Sequence, residues 1–130
     1  MYILHNKPTR TLTSARDEPG ADRRTVLDLV DHPGAGQLFP VGRLDFDTTG
    51  LLLLTNDGDL ANRLTHPRYG VPKVYRALVK GKVDPDSVGV LVEGVKLTDR
   101  RVGRTVGASK TGPVEVAIVH QEADKTVVEV

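Results

Sequence analysis

Leu51-Leu52-Leu53-Leu54 restricts the fold of this chain more than any other stretch: four consecutive leucines, closed by Gly50 on one side and by Thr55-Asn56-Asp57-Gly58 on the other. An apolar run this short, stopped by a glycine and by a turn-forming Asn-Asp-Gly, predicts a fully buried strand rather than a helix. The residues just ahead of it are of a different kind. Val41 to Gly50 holds two carboxylates (Asp45, Asp47), a guanidinium (Arg43), two hydroxyls (Thr48, Thr49) and glycines at both ends. A polar cluster pinned to a rigid buried element is where site chemistry is expected, because the scaffold fixes its geometry.

The rest of the chain supplies partners for that strand. Tyr2 to Lys7 reads as a first strand stopped by Pro8, and Thr11 to Ala15 as a short second one. Pro19-Gly20 marks a loop. Thr25 is placed to cap a short helix, Val26 to Val30, with Asp28 at its third position. Gln37 to Val41 should be a strand leading into the polar loop. Beyond Asn56-Asp57-Gly58, Asp59 can cap a helix that puts Leu60, Ala61 and Leu64 on one side and ends before Pro67. A strand is predicted over Lys73 to Lys80. A helix opening at Asp84-Pro85 and running through Val88, Leu91 and Val92 to Gly94 should follow. Lys96 to Gly112, rich in Gly and Arg, reads as a strand pair or twisted ribbon. Val114 to Val119 alternates as a strand does, Glu122 to Lys125 is a turn, and Thr126 to Val130 is a last strand, exposed and liable to pair as an edge. The fold class is α+β: a mixed, mainly antiparallel sheet with a few short helices, in one domain spanning residues 1–130.

Composition excludes several function classes. The chain has no cysteine, so disulfides and thiolate metal sites are out. The four histidines, His5, His32, His66 and His120, show no metal-ligand spacing. No apolar run reaches the roughly 18 residues of a membrane span and no signal-peptide core opens the chain, which makes the cytoplasm the default. The net charge is only +1, but it is segregated. No acid lies between Asp59 and Asp84, where Arg63, Arg68, Lys73, Arg76, Lys80 and Lys82 fall. None lies between Asp99 and Glu115, where Arg100, Arg101, Arg104 and Lys110 fall. Such windows suit a polyanion; they serve equally as a solvated face balanced by acids nearby in space.

The stretch from Gly42 to Gly58 resembles the catalytic motif of pseudouridine synthases, in particular the RsuA/RluB type acting on ribosomal RNA. That motif is Gly-Arg-Leu-Asp, two variable positions, Thr, one variable position, Gly, several leucines and Thr-Asn-Asp-Gly, and the match here is unbroken. The Asn6-Lys7-Pro8 end of the first strand also matches the opening of the family's catalytic domain. The resemblance implies isomerisation of uridine to pseudouridine in structured RNA, with ribosomal RNA as partner and substrate. The reaction breaks an N-glycosidic bond, turns the uracil and rebuilds the link through carbon. No net redox change occurs, so neither cofactor nor metal is required.

By the same resemblance Asp45 is the catalytic aspartate, acting as nucleophile or as base at C2′. Beside a buried strand it needs a donor or cation to stay ionised, and Arg43 is the nearest candidate in sequence. Arg43 also fits RNA binding, filling the gap left by a flipped nucleotide or holding a phosphate. Thr48 is expected to hydrogen-bond to the loop backbone, Gly50 to permit close backbone approach, and Asp47 to be solvated. Tyr75, in Lys73-Val74-Tyr75, is the second catalytic candidate: it matches the tyrosine that the family stacks on the flipped base, where the resemblance implies stacking or removal of the C5 proton, and Lys73 would share its strand face. Lys73, Arg76 and Lys80 are the RNA-binding candidates. Phe46, Tyr2 and Tyr69 read as packing or surface residues.

Two rival motifs fit less well. Asp45-Phe46-Asp47-Thr48-Thr49 has the Asp-x-Asp-x-Thr form of Mg²⁺-dependent phosphatases, but Gly42-Arg43 separates it from the preceding strand and no acidic pair follows to complete a metal site. Asp45, Asp47, Thr49 and Gly50 begin an EF-hand pattern that ends on Asn56 instead of glutamate. A catalytically incomplete RNA-binding domain is the alternative of another class. Family members carry an S4-type domain before this region and, after it, a Glu-Gly-x-x-x-Gln-Val-Arg-Arg-Met segment whose basic residue pairs with the aspartate. On that basis the chain is expected to be a fragment of a longer protein, binding RNA weakly and turning over little or not at all.

Overall fold

The structure, a computed structural model, describes residues 1–17, 22–101 and 104–130. The Pro19-Gly20 loop lies outside the described residues, as do the side chains of Arg100, Arg101 and Arg104. The fold is mixed α+β, in two compact units, Met1–Val71 and Pro72–Val130.

In the first unit the leucine strand is central. Strands β1 (Tyr2–Lys7), β2 (Phe39–Val41) and β3 (Gly50–Thr55) form an antiparallel sheet in the order β1-β3-β2. The register sets Ile3 opposite Leu54, His5 opposite Leu52 and Lys7 opposite Gly50. Strand alternation then divides the leucines. Leu52 and Leu54 join Val26 and Leu38 in the buried core, with Ile3, Leu27, Val30 and Leu44 packed against it. Leu51 is 73% exposed, so the predicted strand is there but is buried on one face only. An antiparallel sheet needs cover on just one side, and here the 3₁₀ turn Leu27–Leu29 and Leu38 provide it.

Three local predictions change. Thr11 to Ala15 makes one isolated parallel bridge, Leu12 to Thr25, rather than a strand. Arg10 has φ of 55° and turns the chain there, and the Thr13 hydroxyl is drawn off to Leu44. The helix after Thr25 shrinks to the 3₁₀ turn with Val26 at its cap. The Asp28 carboxylate reaches back to accept from both the amide (2.7 Å) and the hydroxyl (2.9 Å) of Thr25. Those two bonds, the amide first, hold Asp28 below the usual carboxylate range. Helix α1 (Gly58–Thr65) is capped by Asp57, not Asp59. Asp57 accepts from the Leu60 amide at 3.0 Å and from the Tyr2 hydroxyl at 2.7 Å, and its pKa is lowered, chiefly by that amide.

In the second unit β4 (Arg76–Lys80), β7 (Ala117–Gln121) and β8 (Lys125–Glu129) form a sheet in the order β4-β8-β7. The last strand is therefore central instead of an exposed edge. Pairing on both sides buries Thr126 and Val128. Helix α2 (Pro85–Glu93) is capped by Asp84 through the Ser87 amide, as the Asp-Pro pair predicts. Gly94 ends it with φ of 88°, where a Cβ would also run into the Thr111 carbonyl. The predicted ribbon is the hairpin of β5 (Lys96–Arg101) and β6 (Arg104–Lys110). β4 starts at Arg76 rather than Lys73, just after Pro72, which has no amide to donate. β7 starts at Ala117 rather than Val114, where its register against β8 begins.

Candidate active site

The loop between β2 and β3 is built on a lysine. Along β1 the inward positions are Ile3, His5 and Lys7, and Lys7 is 0% exposed. Its ammonium converges on four backbone carbonyls: Pro8 at 3.1 Å, Asp45 at 2.9 Å, Phe46 at 3.1 Å and Thr48 at 2.7 Å. Three of the four belong to the polar loop. An ammonium is a compact point donor, suited to carbonyls that converge from several directions. Burial lowers the lysine's pKa, and the charges of Asp47 and Asp45 oppose that shift.

Two threonines complete the strapping. The Thr13 hydroxyl donates to the Leu44 carbonyl at 2.6 Å and accepts from the Leu44 amide at 3.2 Å. The Thr11 amide donates to the Phe46 carbonyl at 3.2 Å, and the Thr48 amide closes a turn onto the Asp45 carbonyl at 3.0 Å. Leu44 anchors the loop from below in the core. Residues 44–48 are thus fixed through their backbone.

The Asp45 side chain is treated differently from its backbone. It is exposed, and among the described residues nothing donates a hydrogen bond to its carboxylate and no ion pair engages it. The Thr48 amide goes to the Asp45 carbonyl, so the carboxylate is not spent as a turn cap. Arg43 is exposed as well, and among the described residues it forms no ion pair with Asp45. The expected pairing of Arg43 with Asp45 does not form; the cation built into the loop is Lys7. Thr48 serves the loop through its amide and carbonyl, while its hydroxyl makes no hydrogen bond among the described residues. Gly50 is required for a different reason than close approach. Nothing lies within 4 Å of where its Cβ would be, but its φ is 131°, a conformation side chains disfavour. Asp47 and Phe46 are at the surface.

The remaining candidates lie in the second unit. Tyr75 is 45% exposed, and its amide and carbonyl both bond to Val130 at 2.9 Å, extending the β4–β8 ladder. By that register Tyr75 shares a face with Ala77 and Val79, and Arg76 and Lys80 lie on the other. Arg76 is paired with Glu129 at 3.1 Å, at the surface, and Lys80 is exposed. Lys73 precedes the strand, so it and Tyr75 do not share a strand face as expected.

Sequence reasoning placed Lys7 on a strand and in the Asn6-Lys7-Pro8 match but gave it no task. The alternation of β1 does not say whether Tyr2, Leu4 and Asn6 or Ile3, His5 and Lys7 face inward; the structure turns Lys7 inward, where a charge persists only if bonded.

A family model of RNA pseudouridylate synthases matches residues 1–129. A relative from Aquifex aeolicus (strain VF5), named as an uncharacterized RNA pseudouridine synthase, is 45% identical over 130 residues, covering 99% of this chain and 47% of the relative. Ribosomal large subunit pseudouridine synthase B of Bacillus subtilis (strain 168) is 36% identical over 125 residues, 96% of this chain and 46% of that protein. A crystal structure of a pseudouridylate synthase superposes with a TM-score of 0.71 at 29% identity, covering 99% of this chain and 50% of the other. The chain belongs to the RNA pseudouridylate synthase family, and it spans about half the length of the curated relatives it matches.

Proposed function

We propose that this member of the RNA pseudouridylate synthase family isomerises uridine to pseudouridine in structured ribosomal RNA, with residues 1–130 as its catalytic domain and Asp45 as the catalytic group. One observation carries the assignment to Asp45. The backbone at Asp45 is bonded twice, to Lys7 and to the Thr48 amide, while its carboxylate is exposed and, among the described residues, uncommitted. A carboxylate held rigidly yet without a structural task is what a reacting group requires.

The chemistry asks for little else. The C1′–N1 bond of uridine breaks, the ring turns, a C1′–C5 bond forms, and the proton on C5 is exchanged for one on N1. An ionised carboxylate promotes this either by adding to the sugar or base or by removing the C2′ proton. Tyr75 is assigned the flipped base, on which its exposed ring would stack, and Arg43 the gap or phosphate left by flipping. Lys73, Arg76 and Lys80 are assigned to the RNA backbone. Arg76 would exchange Glu129 for phosphate at small cost, because exposed pairs are worth about 0–1 kcal/mol. The ribosomal substrate follows the name of the Bacillus subtilis relative, and the cytoplasm is the compartment where such RNA is met. No described helix is long and apolar enough to cross a membrane.

The test is tritium release from ribosomal RNA carrying [5-³H]uridine, with EDTA present, for the chain and its Asp45→Asn variant. Measured in single turnover at saturating protein, slow release by the parent and its loss in the variant are expected. Release that survives Asp45→Asn within a factor of a few would move the chemistry to another residue. Release abolished by EDTA would overturn the metal-free mechanism. RNA binding without release would leave an RNA-binding domain.

A further inference from the structure

We infer that Arg68 and Tyr69 form a preorganised stacking platform for an unpaired nucleobase of the RNA, outside the set of residues assigned to the flipped uridine. The inference rests on the RNA-substrate reading above and adds a contact to it. The Arg68 guanidinium carbon lies 4.5 Å over the centroid of the Tyr69 ring. The His66 ring meets Tyr69 edge-on, with centroids 6.3 Å apart and planes at 77°. Tyr69 is therefore held from one side by an edge and covered on its face by a cation.

The backbone beneath is locked in the same way. Pro67–Tyr69 is a 3₁₀ turn with proline at its start, and His66 Nδ1 accepts from the Arg68 amide at 3.2 Å. The Tyr69 amide donates to the His66 carbonyl at 3.1 Å, the Gly70 amide to the Pro67 carbonyl at 3.0 Å, and Gly70 closes the turn in the left-handed region with φ of 60°. Five residues, His66 to Gly70, thus spend their bonds on holding two side chains in a stack at the surface.

A structural role leaves part of this unexplained. Tyr69 is 39% exposed and Arg68 is exposed, so the pair buries little. Among the described residues no carboxylate pairs with Arg68, and the sequence around it is free of acids from 60 to 83. What remains available is the outer plane of a guanidinium whose inner plane is already occupied. Unpaired bases stack on such planes, and the N–H edges can reach a phosphate at the same time. The turn is also joined to the segment that leads to Asp45. Thr65, the residue before this turn, ends α1 with its methyl group against Gly42, 3.9 Å from where a Cβ there would sit. Gly42 opens the segment leading to Asp45.

The partner is then a single-stranded nucleotide neighbouring the target, not duplex RNA, whose bases offer no free face. The experiment measures binding of a short single-stranded RNA containing 2-aminopurine, by fluorescence and as a function of salt, to the chain and to Arg68→Ala, Arg68→Lys and Tyr69→Leu. A stack predicts that all three substitutions weaken binding about tenfold and abolish the 2-aminopurine quenching. Arg68→Lys should do so with the salt slope unchanged, since the charge stays, and Arg68→Ala should lower the slope by about 0.7. Arg68→Lys binding and quenching like the parent would overturn the platform and reduce Arg68 to a charge. A parent that binds no RNA would overturn the RNA reading itself, which separates the two failures.

Discussion

Replacing Lys7 by methionine tests whether the loop that carries Asp45 is held from below. Methionine keeps most of the length and apolar volume of the side chain and removes the ammonium. Three long-range acceptors, the carbonyls of Asp45, Phe46 and Thr48, lose their charged donor at 2.7–3.1 Å. Hydrogen bonds to a charged group contribute roughly 1.5–3 kcal/mol each, so the gross loss is about 5–9 kcal/mol. Two terms reduce it. The buried ammonium no longer has to be desolvated, a cost of several kcal/mol per ion in real proteins, and carbonyls in a surface loop can take up water. A net loss of about 2–4 kcal/mol results, which for a chain of this size lowers Tm by roughly 10 °C.

The effect should also be local. If loop opening becomes easier by about 2 kcal/mol, the amides of Thr48 and Thr11, which bond to the Asp45 and Phe46 carbonyls, should exchange about thirtyfold faster. Single-turnover rates would fall with the population of the ordered loop, and RNA affinity would not. Thermal unfolding and amide exchange on the same variant decide it. A Lys7→Met protein that melts within about 2 °C of the parent and exchanges those two amides at the parental rate would refute the reasoning. The loop's shape would then belong to Thr13, Leu44 and Gly50.

Asp45→Asn should leave Tm and RNA affinity at parental values while single-turnover rates drop by orders of magnitude, because the Lys7 bond is to the backbone carbonyl and not to the carboxylate. Gly50→Ala should destabilise the chain by about 1–3 kcal/mol by denaturant titration, since its φ of 131° is strained for any side chain although no atom is close. Arg76→Ala should reduce the log–log salt slope of RNA binding by about 0.7 and leave stability nearly unchanged, as its partner Glu129 is at the surface. In acid, the Asp57 cap should fail late. Its pKa is lowered by the Leu60 amide and the Tyr2 hydroxyl, so its contribution is fully present above the unfolded value of 3.8 and is lost as pH falls through the lower folded value. Asp57→Asn should flatten that part of the acid limb in far-UV circular dichroism.

The elements that the sequence announces correctly are those whose cause is local. The leucine run, the Asp84-Pro85 helix start and the Gly- and Arg-rich ribbon each carry their own stop and start signals, and they appear where expected. The errors arise where a distant residue decides. Whether Leu51 is buried depends on which side of β3 the Val26–Leu38 cluster covers, and no periodicity in Leu-Leu-Leu-Leu encodes that. Thr126–Val130 looks like an edge in sequence and becomes a centre because β4 and β7 both pair with it. Asp57 displaces Asp59 as the cap because the helix begins two residues earlier, at Gly58, where the Tyr2 hydroxyl, 55 residues away in sequence, helps to hold the Asp57 carboxylate. The polar loop was legible as a composition and as a motif, but its support was not. A lysine at the end of a strand gives no local hint that four carbonyls, three of them about forty residues on, will converge on it.

In the role proposed for Asp45, that support would separate two duties which an aspartate could otherwise not combine. Positioning requires bonds, and each bond accepted by the carboxylate would lower its basicity and nucleophilicity. Here the bonds fall on the main chain instead: Lys7 and the Thr48 amide take the Asp45 carbonyl, Thr11 and Lys7 take the Phe46 carbonyl, and Thr13 takes both polar groups of Leu44. Orientation is supplied one residue to either side of Asp45 and at its own backbone, and among the described residues no hydrogen bond is made to the two carboxylate oxygens. The choice of lysine follows from the same division. A guanidinium would present a planar fork and a carboxylate partner would draw Lys7 away from the loop, whereas an ammonium can sit under four carbonyls and neutralise their converging dipoles at a single point. The burial that lowers its pKa is the cost of that placement, and the nearby charges of Asp47 and Asp45 offset part of it.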